Sequence, residues 1–117
     1  MGKFINVEKV QDLVVIKFIF NEINLDQREK LKKELNELLG KGDARFIIDL
    51  SKVGFLSSLV IATIVFFAKE VRKADGDVKL CALSSEAFSI FRITQLDKVF
   101  ELYDTETAAV ESFKKTV

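Results

Sequence analysis

The sequence predicts an α/β domain with a mixed, mostly parallel β-sheet, an antiparallel edge strand and about four helices. Three observations carry that expectation. After an opening pair of strand-like runs, short apolar runs alternate with segments of helical periodicity. The chain has no Pro and only five Gly, so its elements can run long without built-in breaks. Eleven Phe and a hydrophobic share of 49% supply one core, while the 31% of charged residues can cover it. At 117 residues the chain is expected to form one domain over 1–117.

Phe4 to Val10 alternates loosely and reads as the edge strand, with a turn over Lys9 to Asp12. Leu13 to Phe20 is almost solidly apolar, as a strand covered on both faces should be, so the two runs form a hairpin. Asn24 then opens the first helix. Its side chain can cap free amides, and Gln27 stands where a capping-box side chain reaches back. Leu31, Leu35, Leu38 and Leu39 recur at helical spacing, and Arg28, Lys32 and Lys33 are assigned to the wet face. Glu29 and Lys33 are expected to pair one turn apart. Gly40 and Gly42 end the helix.

Arg45 to Leu50 is the next buried strand. A connection over Ser51–Leu56 leads to a second helix from about Ser57 to Lys73. Its Val, Ile and Phe content would suit a strand, but its length and its charged tail Lys69–Lys73 favour a helix. Asp75-Gly76 turns the chain, and Val78 to Leu83 is a strand. Ser84 or Ser85 caps a helix carrying Phe88, Phe91 and Ile93. Val99 to Tyr103 is expected to be a short strand, and Asp104 to cap a last helix holding Ala109, Val110 and Phe113.

Composition narrows the function. Eighteen basic and eighteen acidic residues leave no net charge, so the basic surplus that nucleic-acid binding needs is missing. With no His, the common Ser–His and Cys–His nucleophiles and His-based metal sites cannot be built. Hydrolase chemistry of the common kinds is therefore not expected, and no catalytic residue, cofactor or metal is assigned. The lone Cys81 cannot form an internal disulfide and fits a reducing cytoplasm. The start, Met1-Gly2-Lys3-Phe4, lacks the apolar core of a secretion signal. Val53–Ala68 is too short for a membrane span and is interrupted by Ser57, Ser58 and Thr63. The expectation is a cytoplasmic protein that binds neither nucleic acid nor membrane.

Loops leaving the carboxyl ends of parallel strands share one rim, where sites gather. The loops at Phe20–Asn24, Ser51–Ser58 and Leu83–Glu86 qualify. They carry Asn21, Glu22, Asn24, Ser57 and Ser58. Ser57-Ser58 falls at the start of the second helix, where unpaired amides and the helix dipole favour a negative group. A phosphate there could be held without a nearby Lys or Arg. On spacing alone, the simpler reading makes Ser57 an N-cap and Ser58 a first-turn residue. Leu59 to Phe67 is apolar nearly all round, so the excess either packs under a neighbour or lies open as a docking patch. Cys81 reads as a buried strand thiol. Asp49 reads as a cap for the following loop, and an enzyme built on either residue is the weakest alternative.

Ile48-Asp49-Leu50-Ser51-Lys52-Val53-Gly54-Phe55-Leu56-Ser57-Ser58 resembles the signature stretch of STAS domains in anti-sigma factor antagonists. Asn21-Glu22-Ile23-Asn24 lies where that family has a Gly-Glu-Leu-Asp-like loop. Thr94-Gln95-Leu96-Asp97-Lys98-Val99-Phe100 resembles the run before its last strand. The resemblance covers essentially the whole chain and implies the STAS-type fold. It places the phosphoacceptor at Ser58, with Ser57 as fallback, and implies partner contacts at Asn21, Glu22, Ser57, Leu59 and Ile61.

In such proteins the unphosphorylated domain binds an anti-sigma factor that is itself a serine kinase, thereby releasing the sigma factor. Phosphorylation ends the complex, and a serine phosphatase resets the domain. Here Ser57 replaces the family's acidic residue, Leu59 its second small polar residue and Val60 its Gly. Those departures imply a changed partner or lost phosphorylation. A second reading, supported by the apolar run Leu59–Phe67, is a non-phosphorylated STAS scaffold or transporter-associated module that self-associates as a homodimer or holds an apolar ligand.

Overall fold

The computed structural model describes residues 4–114. Met1–Lys3, which belong to the start read above as lacking a leader, lie outside them. Five strands form one sheet in the order β1 (Ile5–Val10), β2 (Leu13–Phe18), β3 (Arg45–Asp49), β4 (Asp77–Cys81) and β5 (Leu102–Tyr103). β1 and β2 are antiparallel, and every later neighbour is parallel. Helices α1 (Leu25–Gly40), α2 (Ser58–Lys73), α3 (Ser85–Ile93) and α4 (Glu106–Lys114) complete the fold. This is the mixed sheet with an antiparallel edge that the sequence predicts.

Strand alternation builds two cores. Val14, Ile16, Phe18, Phe46, Ile48, Val78 and Leu80 turn to one face and pack against buried residues of α1, α2 and α3. Leu13, Val15, Ile47 and Cys81 turn to the other and meet Ala109, Val110 and Phe113 of α4. Central strands covered on both sides are apolar at nearly every position, which is why β2 and β3 look unpatterned.

Several local expectations need correction. Arg28 and Lys32 do not lie on a wet face. Arg28 Nε donates to Thr63 Oγ1 of α2 at 3.1 Å, and Lys32 Nζ sits 4.3 Å from the centroid of the Phe66 ring. Both residues seal the α1–α2 seam. Glu29 therefore pairs with Arg28 and Lys32, each at 3.9 Å, rather than with Lys33. The strand expected over Val99–Tyr103 shrinks to Leu102–Tyr103, because Gln95 takes a left-handed conformation (φ 62°) and a 3₁₀ turn follows at Leu96–Lys98. β4 stops at Cys81, since Ala82 also turns left-handed (φ 61°). The last helix is capped by Thr105 rather than Asp104: the Ala108 amide donates to Thr105 Oγ1 at 3.1 Å.

Candidate functional site at the carboxyl rim of the sheet

The loops after β2, β3 and β4 leave the same edge of the sheet, because those three strands run parallel. Each loop ends in a side chain that caps the next helix. Asn24 Oδ1 accepts from the Gln27 amide at 2.8 Å, and Gln27 Oε1 accepts from the Asn24 amide at 2.9 Å, completing a capping box on α1. Ser57 Oγ accepts from the Val60 amide at 3.3 Å on α2. Ser84 Oγ accepts from the Ala87 amide at 3.1 Å on α3 and donates to the Gly54 carbonyl at 3.3 Å. That last bond ties the third loop to the second.

The loop from Leu50 to Ser57 is held at several points. Asp49, buried at the end of β3, accepts the Ser51 amide at 2.8 Å, the loop-capping role expected for it. The Val53 amide bonds the Leu50 carbonyl at 3.0 Å, and Val53 and Leu56 sink into the core. Gly54 and Phe55 are thereby pushed outward, leaving Phe55 58% exposed. The anchored loop sets where α2 begins.

Ser57 adopts an extended backbone and is the N-cap. Ser58 is the first helical residue and is exposed. Among the described residues, its side chain has no hydrogen-bond partner. Its amide and that of Leu59 lie in the first turn of α2, ahead of the Ile61 amide, which bonds the Ser57 carbonyl at 3.0 Å. That turn carries no acidic residue, so nothing in it offsets the positive end of the helix dipole.

The other expected contact residues separate into two groups. Asn21 and Glu22 are exposed in the loop after β2, on the same rim as Ser57 and Ser58. Leu59 and Ile61 are half-buried and pack against the main core. The all-round apolar run Leu59–Phe67 is thus explained mainly by burial: α1 covers its Thr63–Phe66 side, and none of its large apolar residues is exposed. The exposed apolar surface at the rim comes instead from Leu25 (66%), Phe55 (58%) and Phe88 (42%). Leu25, directly after the Asn24 cap, lies outside the Leu31–Leu35–Leu38 stripe that α1 buries, whereas Phe88 stands three residues before buried Phe91, where helical periodicity predicts burial.

Below the rim, on the α4 face, Lys17 Nζ lies 3.9 Å from Asp49 Oδ2. Burial, followed by the charges of Asp49 and Glu8, raises the Glu106 carboxyl above its ordinary value, and Lys17 partly offsets this. Cys81, fully buried beside Asp49, is pushed up to about 12, first by burial and then by the charges of Asp49 and Glu106. Burial and that shift keep the Cys81 thiol neutral, in keeping with the buried strand thiol expected from the sequence. Among the described residues, no group of three or more His, Cys, Asp or Glu could hold a metal ion, and no helix is long and apolar enough to cross a membrane.

Comparison with known proteins converges on one family. The STAS domain model matches residues 4–109. A Bordetella bronchiseptica protein, provisionally named the anti-sigma factor antagonist BtrV, is 27% identical over 103 residues, spanning 88% of this chain and 89% of its own. The crystal structure of a Thermotoga maritima protein with the same provisional description superposes with a TM-score of 0.87 at 24% identity, covering 97% of both chains. The phosphorylated form of the Bacillus cell fate determinant SpoIIAA superposes with a TM-score of 0.72 at 18% identity, covering 93% of this chain and 98% of its own.

Proposed function

The chain belongs to the STAS domain family, and from that membership we propose that it is an anti-sigma factor antagonist switched by phosphorylation of Ser58. The unphosphorylated rim docks on an anti-sigma factor of the serine-kinase type, with Leu25, Phe55 and Phe88 as apolar anchors and Asn21 and Glu22 at the polar margin. Phosphate on Ser58 ends the complex, and a serine phosphatase restores it. The domain catalyses nothing, and ATP belongs to the partner. One domain spans the chain.

The observation that carries this reading is the unengaged, exposed hydroxyl of Ser58 at the first position of α2. Ser57 has its oxygen bonded by the Val60 amide as the structural cap, which supports Ser58 as the acceptor. Phosphorylation would add about −1.5 to −2 charges in one step. Within the protein that charge is tolerated, because the helix dipole and first-turn amides favour an anion. Within a complex it would sit among apolar side chains that have lost their water, where an unpaired charge is costly. The same group is therefore cheap in the free protein and disruptive in the bound one.

The reading is tested by incubating the chain with its anti-sigma kinase and ATP and mapping the product by mass spectrometry. One phosphate on Ser58, absent in Ser58→Ala and retained in Ser57→Ala, is expected. A chain that binds the kinase yet stays unmodified would instead favour the non-phosphorylated scaffold.

A further inference from the structure

A second surface lies away from the rim, on the open edge of the sheet. β1 and β5 are the two edge strands, and β5 has only two residues, so β1 is the edge long enough to template pairing. The Ile19 amide donates to the Phe4 carbonyl at 2.9 Å, which fixes the parity of the β1–β2 ladder. Opposed residues in an antiparallel pair alternate between exchanging both bonds and exchanging none. Phe4, Asn6, Glu8 and Val10 therefore bond inward to β2, while Ile5, Val7 and Lys9 direct their amides and carbonyls outward.

Alongside that edge runs a groove of about 380 Å³, bordered by Ile5, Asn6, Val7 and Leu38, by the acids Glu34 and Glu37 of α1 and by Lys41 just after it. Val7 is 46% exposed in it. Glu34 Oε1 is buried and, among the described residues, lacks a hydrogen-bond partner. Exposed backbone, an exposed Val and an underused carboxylate occur together.

We propose that β1 is a self-complementary seam on which a second copy of this chain docks, joining two sheets through antiparallel β1–β1 pairing about a two-fold axis at Val7. That register pairs the whole strand. Val7 faces Val7, Ile5 faces Lys9, Asn6 faces Glu8 and Phe4 faces Val10. The outward-facing residues Ile5, Val7 and Lys9 become the hydrogen-bonded pairs. No like charges are opposed, whereas a shift of one residue toward the carboxyl end would set Glu8 against Glu8. The Lys9 side chain of the second copy, which bonds Asp43 Oδ1 of its own chain at 2.7 Å, arrives beside Ile5, where Glu34 and Glu37 offer it further carboxylates across the seam. Full pairing, a Val–Val contact at the axis and a register that opposes no like charges select this occupant. The seam depends only on the sheet edge and is independent of the Ser58 reading.

The test uses the intact chain in sedimentation velocity over a wide concentration range, with circular dichroism as a check on folding. A concentration-dependent dimer is expected, and Val7→Lys should raise its dissociation constant at least about tenfold by opposing two ammonium groups. Val7→Pro removes only an outward amide, so it should preserve the β1–β2 ladder and the fold while abolishing the dimer. Val7→Cys should give a covalent dimer on mild oxidation, because the two sulfur-bearing positions are directly opposed. A strictly monomeric chain, or a dimer that survives both Val7→Lys and Val7→Pro, would overturn the proposal. Loss of Ser58 phosphorylation would leave it untouched.

Discussion

The Ser57 hydroxyl oxygen lies 3.3 Å from the Val60 amide, and that bond gives two adjacent serines different tasks. Ser57→Ala should cost about 1 kcal/mol of stability, the usual loss for an N-cap. Ser58→Ala, which removes an exposed and unbonded hydroxyl, should stay within about 0.5 kcal/mol of the parent. Urea unfolding of the two variants reads the difference directly. Equal losses would mean that both hydroxyls are structural.

Rim binding should depend on residues that stability ignores. Leu25→Ala and Phe55→Ala truncate exposed side chains, so their unfolding midpoints should barely move. If the rim docks on the anti-sigma factor, Phe55→Ala should weaken the complex by about 2 kcal/mol, roughly thirtyfold. Calorimetric titration against that partner checks it. Unchanged affinity in both variants would move the interface elsewhere.

Thr63→Val removes the acceptor for Arg28 Nε, together with the hydroxyl's own donation to the Leu59 carbonyl at 2.8 Å, while keeping the side-chain shape. Arg28 is half-buried and can turn part of its guanidinium toward water, so the loss should be about 1 kcal/mol. A thermal scan should show the midpoint about 4 °C lower. A larger drop would indicate that the α1–α2 seam itself has opened.

Glu106 sets a pH dependence of definite sign. Its folded carboxyl is raised above the ordinary 4.5, chiefly by burial and next by the charges of Asp49 and Glu8. Between the unfolded and folded values the native state holds more protons than the unfolded one, so this group's contribution to stability falls as pH rises through that window. Glu106→Gln should therefore be more stable than the parent above the window and show a flatter profile. Denaturant titrations from pH 4 to 8 measure both curves. Equal slopes would place the Glu106 carboxylate in ordinary solvent.

Cys81 should resist alkylation in the native protein. Its thiol is fully buried and pushed up to about 12, so little thiolate exists at pH 8. Iodoacetamide labelling, followed by intact mass, should proceed only after denaturant is added. Rapid native labelling would contradict the buried placement.

Legibility in the sequence followed the range of the interaction concerned. The Asn24–Gln27 capping box and the Ser57 cap are local, spanning three residues, and both were readable from residue type and spacing. α2 was readable as a helix despite its β-branched content because sixteen residues exceed an ordinary strand. Left-handed Gln95 and Ala82 carry no glycine signal, so the 3₁₀ turn and the early end of β4 were invisible.

Long-range placement was the other blind spot. Lys79 lies buried on β4, donating to Ser112 Oγ at 2.8 Å and sitting 4.1 Å from the centroid of the Phe113 ring. Only the docking of α4 provides those partners. The position of Ser58 at the helix start was legible, but the exposure of Phe55 beside it was not. That exposure comes from Val53 and Leu56 taking the inward positions of a short loop.

The most direct measurement compares the affinity of the anti-sigma factor for this chain with and without phosphoserine at position 58. Calorimetry on the two purified forms, both checked for fold, should show the phosphorylated form binding at least about a hundredfold more weakly, a difference of about 2.7 kcal/mol. Equal affinities would contradict the switch and leave the rim, if it binds at all, as an unregulated surface.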